Sequence, residues 1–199
     1  MNDPRGGGNF SGRMTAPLCF AGGLLMQILE RSGIEIGAHI SSISSVCDDD
    51  IDFTTGSMEK LKALEAKPFP VINDEAGERM KAEILSAKSE GDSVGGVIEC
   101  VITGVPAGVG DPVFDGIENR LACAIFGIPA VRGIEFGAGF KAAQMRGSEH
   151  NDPYYLDGET VKTKTNNHGG VIGGITSGMP IVFRVAFKPT PSIAKEQTS

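Results

Sequence analysis

Arg5-Gly-Gly-Gly-Asn-Phe-Ser-Gly-Arg-Met-Thr15 places three consecutive glycines just before a serine hydroxyl and an arginine guanidinium. Glycine can adopt positive φ and approach a ligand closely, so successive backbone amides can form a concave nest for an anion. A guanidinium such as that of Arg13 can bind two phosphate oxygens at once. The stretch therefore predicts a glycine-rich anion-binding loop over residues 1–15. A flexible glycine-rich segment is the alternative.

The residues after this loop have the pattern of an amphipathic helix. Thr15 is a suitable N-cap, Pro17 fits the first helical turn, and Gly33 ends the run. Apolar residues at helical spacing predict a single buried stripe, formed by Leu18, Ala21, Leu25, Ile28 and Leu29. An anion held by the loop would then lie at a helix N-terminus, where the dipole and the free amides favour negative charge.

The rest of the chain alternates strand-like and helical segments without a long linker, which predicts one domain over residues 1–199. Asp74 opens a second helix that Gly91 ends, and Asp111-Pro112 caps a third helix that turns Phe114 inward. Strands are predicted over residues 34–46, 94–105, 131–136, 160–165 and 181–187. The order of these units leaves a βαβ pairing or a pseudo-repeat open.

Composition and charge exclude several classes of protein. A formal net charge of −7 disfavours non-specific binding to nucleic acid. No run approaches the roughly 18 apolar residues of a membrane span. The start lacks the basic and apolar regions of a secretory signal, so we expect a cytoplasmic protein with no membrane partner.

Cysteines and acidic residues give no metal-binding pattern. The four cysteines stand far apart without a Cys-x-x-Cys pair, which predicts buried reduced thiols and neither disulfides nor a metal site. The acidic run at residues 48–52 lacks the spacing and the glycine of a calcium loop. We therefore expect a solvated acidic loop there.

Further motifs follow the glycine-rich loop along the chain. They are Gly91-Asp-Ser-Val-Gly-Gly-Val-Ile-Glu-Cys100, Pro112-Val-Phe-Asp-Gly-Ile, Ile128-Pro-Ala-Val-Arg-Gly-Ile-Glu-Phe-Gly137, Arg146-Gly-Ser-Glu-His-Asn-Asp152, Thr165-Asn-Asn-His-Gly-Gly-Val-Ile-Gly-Gly-Ile-Thr-Ser-Gly178 and Phe187-Lys-Pro-Thr-Pro-Ser-Ile193. Together with the loop they resemble the motifs of chorismate synthases, in the family's order along nearly the whole chain. The resemblance implies an α+β, chorismate-synthase-like β-α-β sandwich, with mixed or antiparallel sheets and helices packed outside.

The resemblance also implies a reaction and its partners. Chorismate synthases convert 5-enolpyruvylshikimate 3-phosphate to chorismate by a 1,4-anti elimination of phosphate, a step of the shikimate pathway toward the aromatic amino acids. They are lyases that need reduced FMN, and NADPH serves some members as the reductant. Family members form homotetramers, so a homo-oligomer is expected.

The matching motifs imply which residues bind these ligands. Flavin contacts fall on Asn9, Phe10, Ser11, Pro129, Ala130, Gly173, Lys188, Pro189, Thr190, Pro191 and Ser192. Substrate phosphate falls on Ser11 and Arg13, with Arg132 a weaker candidate; each could instead be a helix cap, a surface ion pair or a strand-end charge. Asn9 and Pro129 replace residues commoner in the family, so a charge contact and an amide contact to the flavin are in doubt. Glycine pairs between residues 91 and 178 indicate either a ligand-facing surface or close backbone packing.

The family's catalytic histidines and aspartate belong to motifs that this chain lacks. A Gly-Glu-Ser-His segment is expected before Arg5, and an Arg-His-Asp segment after Ser199. None of His39, His150 and His168 matches a catalytic histidine, and each is expected to be packed or hydrogen-bonded. The chain therefore resembles a core fragment, which we expect to be inactive alone and to self-associate. The alternatives are a non-catalytic flavin- or phosphometabolite-binding module and a structural oligomerisation core.

Overall fold

The computed structural model describes Gly8 and residues 11–198. Its helices are α1 (Thr15–Arg31), α2 (Met58–Leu64), α3 (Asp74–Ser89), α4 (Ile117–Phe126) and α5 (Gly147–His150). Its strands are β1 (Glu35–Ile43), β2 (Val46–Cys47), β3 (Gly96–Thr103), β4 (Val131–Phe136), β5 (Tyr154–Asp157), β6 (Thr160–Thr163), β7 (Val171–Ile172), β8 (Ile175–Thr176) and β9 (Ile181–Phe187). Short 3-10 helices lie at Gly12–Met14 and Gly139–Gln144.

Five strands form one sheet in the order β2-β1-β3-β9-β4. Every neighbouring pair in this sheet is antiparallel. Two hairpins, β5-β6 and β7-β8, stand apart from it. Helices with antiparallel sheets confirm the α+β prediction. A parallel βαβ pairing is wrong for the described strands, because β1 and β3 are direct antiparallel neighbours despite the two helices between them.

Helices cover both faces of the sheet. On the first face, α2 contacts β1, and Val101 and Val182 join a buried cluster that also contains Ile51, Met58, Leu61 and Leu64. On the second face, α4 contacts β4, and the buried cluster contains Val131, Val171, Ile181, Phe183 and Val185. Because side chains alternate along a strand, Val182 points to the first face while its neighbours point to the second.

Two predicted helix faces differ from the structure. The stripe on α1 is not buried, since no α1 residue is buried and Leu25 and Ile28 are each 57% exposed. The helix contacts β1, but this contact does not bury the apolar stripe. The third helix begins at Ile117 with Gly116 as its N-cap, so Phe114 lies outside it and is 86% exposed.

The cysteines are free, as expected, but they are not buried. Cys19 on α1, Cys47 on β2 and Cys123 on α4 are exposed. Cys100 is half-buried on β3, where burial raises the pKa of its thiol to about 12. Within residues 11–198, none of the helices is long and apolar enough to span a membrane.

The acidic run is not fully solvated, which corrects the prediction for its first residue. The side chain of Asp48 is buried and accepts hydrogen bonds from the amides of Ile72 and Asn73, at 2.6 and 2.9 Å. These amides precede α3 and need acceptors once the turn is packed against the sheet. Asp49 and Asp50 remain exposed, as a solvated loop requires.

Candidate functional site

Two groups of predicted ligand-binding residues meet where β4 begins and β9 ends. Val131 pairs with Phe187, and the next residue outward, Lys188, donates its amide to the carbonyl of Ala130 at 3.0 Å. Pro129 and Ala130 are therefore joined to the segment that starts at Lys188. Both Ala130 and Lys188 are exposed, so this sheet edge is accessible to a ligand.

Ala130 has a strained backbone. Its φ is +73°, in the left-handed region that residues with a Cβ seldom occupy. The hydrogen bond from Lys188 holds this conformation. Such strain persists only where the surroundings impose it, and it concentrates at functional sites. Nothing in the sequence around Ala130 predicted this conformation.

Strand β4 carries a β-bulge beside this edge. Val131 pairs with Phe187 and Gly133 pairs with Ala186, so Arg132 is an extra residue without its own partner. Bulges bend a strand and redirect a side chain. Arg132 is exposed on this bulge. The alternative that it is only a charge at the end of a strand does not describe it fully, because it lies within a distorted part of β4.

The motif that begins at Gly91 supports the segment after β9. Ser93 Oγ donates to the carbonyl of Thr190 at 2.7 Å. The amides of Ala194 and Lys195 both donate to the carbonyl of Gly91, at 2.9 and 3.0 Å. Residues 188–195 are thereby fixed against the turn that precedes β3.

A cavity of about 350 Å³ lies at this end of the sheet. Its walls are mostly apolar, and Lys188 is the one charged residue among the lining residues. The lining residues are Ile43, Val94, Gly95, Gly96, Val97, Ile98, Phe187 and Lys188. An apolar cavity with one charged group suits a ligand that has both a hydrophobic and an anionic part.

Close packing accounts for most of the paired glycines. A Cβ at Gly95 would lie 2.5 Å from the carbonyl oxygen of Phe187, and one at Gly170 would lie 2.4 Å from that of Pro180. Gly96, Gly169 and Gly174 are blocked by backbone atoms in the same way. At Gly173, with a φ of +61°, nothing lies within 4 Å of the Cβ position. Of these six glycines, Gly173 alone has the open side that a ligand needs.

The structure does not bring Gly173 to the Ala130 and Lys188 edge. The carbonyl of Gly174 accepts a hydrogen bond from the amide of Ile117, the first residue of α4, whereas Ala130 follows the other end of that helix. A helix of 10 residues is about 15 Å long. Gly173 and Lys188 therefore lie at opposite ends of α4.

Asp152 fixes the loop that leads to Gly173. Its carboxylate accepts hydrogen bonds from Thr165 Oγ1 at 2.6 Å and from the amides of Asn167 and His168 at 2.9 and 3.0 Å. Burial alone would raise the pKa of Asp152, but these hydrogen bonds outweigh burial and lower it. His168 Nδ1 accepts the amide of Gly170 at 2.9 Å, so its role here is structural, as predicted.

Ser11 and Arg13 lie at the start of α1. The amide of Met14 donates to the carbonyl of Ser11 at 3.1 Å, and the 3-10 helix at Gly12–Met14 extends the helix backward. The predicted N-cap, Thr15, is instead the first α-helical residue, and its hydroxyl donates to the carbonyl of Gly12 at 2.7 Å. The hydroxyl of Ser11 makes no capping hydrogen bond, so the helix-cap alternative for its side chain is wrong. Arg13 is exposed; Asn9 and Phe10 lie outside the described residues.

Sequence reasoning missed a buried charge network on the first face of the sheet. Nδ1 of His39 lies 2.9 Å from Asp48 Oδ2 and Nε2 lies 3.2 Å from Glu99 Oε2, and the protonated ring donates to both carboxylates. The network continues to Arg184, whose guanidinium lies 3.9 Å from Glu99 Oε1 and 2.8 Å from Glu135 Oε1. Burial alone would lower the pKa of His39, but the hydrogen bonds to Glu99 and Asp48 outweigh burial and raise it. His39, Glu99, Glu135 and Arg184 lie on four different strands and Asp48 on a loop, so no local pattern in the sequence could reveal the network.

None of the described histidine, cysteine and carboxylate side chains forms a group of three that could hold a metal ion.

Comparisons with known proteins agree on one family. A family model described as chorismate synthase matches residues 1–199. A chorismate synthase of Korarchaeum cryptofilum is 50% identical over 196 residues, which are 98% of this chain and 53% of the relative. One of Pyrococcus abyssi is 53% identical over 192 residues, which are 96% of this chain and 52% of the relative. A crystal structure of chorismate synthase superposes with a TM-score of 0.82 at 35% identity, and covers 90% of this chain and 57% of that structure. The chain thus spans about half the length of the relatives it matches.

Proposed function

The chain belongs to the chorismate synthase family, and we propose that the protein converts 5-enolpyruvylshikimate 3-phosphate to chorismate by anti-1,4-elimination of phosphate. The observation that carries this proposal is the match to the family over the whole chain. The protein would then be a lyase of the shikimate pathway. We also propose that it is cytoplasmic and forms a homotetramer.

The residues present fit a phosphorylated flavin. Lys188 offers a cation beside an apolar cavity, and the exposed Thr190 and Ser192 offer hydroxyl groups. Gly173 has room for a ligand on its open side. We propose that these residues hold FMN together with Asn9, Phe10, Ser11, Pro129 and Ala130, and that NADPH is a reductant of the protein. Reduced FMN supplies electron density when the carbon–oxygen bond of the substrate breaks.

Binding of the substrate phosphate and stabilisation of its negative charge require charged and polar groups of the chain. We propose that Ser11 and Arg13 bind the substrate phosphate, with the hydroxyl of Ser11 available because it caps no helix. The start of α1 adds the positive end of a 17-residue helix, which stabilises the departing phosphate as negative charge accumulates. Proton transfer needs a positioned acid and base, and none of the three histidines matches the family's catalytic ones. We therefore propose that residues 1–199 alone are inactive.

Substitution of Arg13 tests this assignment in the full-length protein. We expect Arg13→Ala to lower kcat/KM by about 2–4 kcal/mol in transition-state free energy, because a charge-assisted contact to the leaving group is lost. Arg13→Lys should restore only part of this loss, since an ammonium group cannot reproduce the guanidinium fork. Arg79→Ala, at an exposed arginine on α3, is the matched control. A loss below about 1 kcal/mol for Arg13→Ala, typical of a surface ion pair, would remove Arg13 from the site.

A further inference from the structure

We propose that Arg132, on the bulge of β4, acts with Lys188 as a pair of cations that binds a phosphate monoester. This inference rests on the proposed function, which requires two such ligands, FMN and the phosphorylated substrate. It assigns a defined role to a residue that the sequence indicated only as a weaker candidate.

The bulge decides where Arg132 points. Val131 and Ile134 both pack into the cluster on the second face of the sheet, although they are three residues apart. Regular alternation would put residues three apart on opposite faces. The bulge therefore turns both Arg132 and Gly133 away from the second face, and Arg132 is exposed.

Lys188 lies on the same side of this edge. Phe187 packs into the second-face cluster, so alternation directs the following residue away from that face. Lys188 is opposite Ala130, and Arg132, the extra residue of the bulge, is two positions after Ala130 in the chain. Two residues of extended chain span at most about 7 Å, so the long side chains of Arg132 and Lys188 start close enough to reach one phosphate group.

Neither cation is neutralised by the described residues. No described ion pair includes Arg132 or Lys188, whereas the nearby carboxylates are already paired. Glu135 lies 2.8 Å from Arg184, and Asp92 lies 3.2 Å from Lys195. Two like charges so close together repel each other, and an anion bound between them would remove the repulsion.

The chemistry of the pair favours a phosphate monoester. A guanidinium binds two phosphate oxygens in one plane, and an ammonium group adds a second point charge. Together they match the nearly doubly negative charge of a phosphate monoester at neutral pH. The strained backbone of Ala130 fixes the two strands at the point where the cations project.

Binding measurements on the full-length protein test the pair. Arg132→Gln is compared with Arg132→Lys and with Arg79→Gln, a control at an exposed arginine on α3. Equilibrium affinities are measured for FMN and riboflavin by flavin fluorescence, and for 5-enolpyruvylshikimate 3-phosphate by calorimetry. Loss of a charge-assisted hydrogen bond should weaken binding of the phosphate ligand by about 10- to 100-fold in Arg132→Gln, with partial recovery in Arg132→Lys.

The ligand arms identify the phosphate. Weaker binding of FMN with unchanged riboflavin assigns the pair to the flavin phosphate, and weaker binding of the substrate alone assigns it to the substrate phosphate. Affinities within twofold of the Arg79→Gln control for both FMN and substrate would overturn the proposal. An equal loss for FMN and riboflavin would also overturn it, because riboflavin has no phosphate. Formation of chorismate by the unaltered protein is scored separately, so failure of the proposed function is distinguishable from failure of the pair.

Discussion

Val113 and Ala130 have the largest positive φ angles among the described residues that have a Cβ. Their φ angles are +70° and +73°. For a β-branched residue such as Val113 this region is a true outlier, because the Cβ crowds the backbone. Val113 is also 71% exposed, so its side chain contributes little buried surface in return.

Val113→Gly should therefore stabilise the protein by about 0.5–1 kcal/mol. Glycine removes a cost of about 1–2 kcal/mol in the left-handed region. Part of this gain is offset because glycine loses more chain entropy on folding than valine does. Urea unfolding measures the change. Val161→Gly, at an exposed valine in the regular strand β6, is the control and should lose stability. Equal losses in both variants would show that the positive φ of Val113 stores no strain.

The sequence predicted residue types at the site better than their conformations. Ala130 and Lys188 were assigned through motifs, but the positive φ of Ala130 and the bulge at Arg132 arise from pairing with β9, more than 50 positions along the chain. No local pattern encodes a register that a distant strand imposes. At Gly95 and Gly170 the packing alternative of the sequence analysis is right, because backbone oxygen atoms leave no room for a Cβ.

At the scale of elements, His39 and Asp48 connect β1 to the turn that starts α3. Asp48 accepts two amides of that turn, and His39 lies between Asp48 and Glu99 of β3. Removal of one partner from a buried charge cluster leaves the others uncompensated. The network therefore holds a helix and two strands together through charge as well as through apolar packing.

This network gives a pH-dependent stability. Because the pKa of His39 is raised in the folded state, its contribution is full below about pH 6.5, the unfolded pKa, and is lost as pH rises through the folded pKa. We expect His39→Gln to destabilise by about 3 kcal/mol at pH 6, and by progressively less at higher pH. Urea unfolding from pH 5 to 9 measures this trend.

His168→Gln is the matched control, because the pH dependence of the stability linked to His168 has the opposite sign to that of His39. Burial lowers the pKa of His168 and outweighs the effect of Asp152, so the stability linked to its titration is present above about pH 6.5 and lost on acidification. A constant difference between His39→Gln and the unaltered protein across this pH range would mean that His39 does not titrate in the network.

Strong periodicity made some elements predictable. The predicted strands at residues 131–136 and 181–187 coincide with β4 and β9, and the helix from Asp74 was found with Asn73 as its N-cap. The 7-residue α2 was missed because so short an apolar pattern does not distinguish a helix from a loop. The start of α4 was misplaced because residues 111–116 pack against Gly174 instead of forming a first turn.

At the scale of the whole molecule, an antiparallel sheet with helices on both faces separates the predicted ligand contacts. Ala130 and Lys188 meet at one sheet edge, while Gly173 lies beyond the other end of α4 and Ser11 lies just before the 3-10 helix that leads into α1. The chain also spans only about half the length of its relatives. The expected self-association of the chain, for which the exposed apolar stripe of α1 provides a surface, stays a prediction.

The most direct test of the proposed function is an anaerobic assay of the full-length protein with 5-enolpyruvylshikimate 3-phosphate and chemically reduced FMN. We predict that chorismate and inorganic phosphate form in equal amounts, that the reduced flavin is not consumed, and that oxidised FMN gives no product, because the reaction is an elimination without net redox change. Absence of chorismate with reduced FMN, from a protein shown to be folded by thermal melting, would contradict the account.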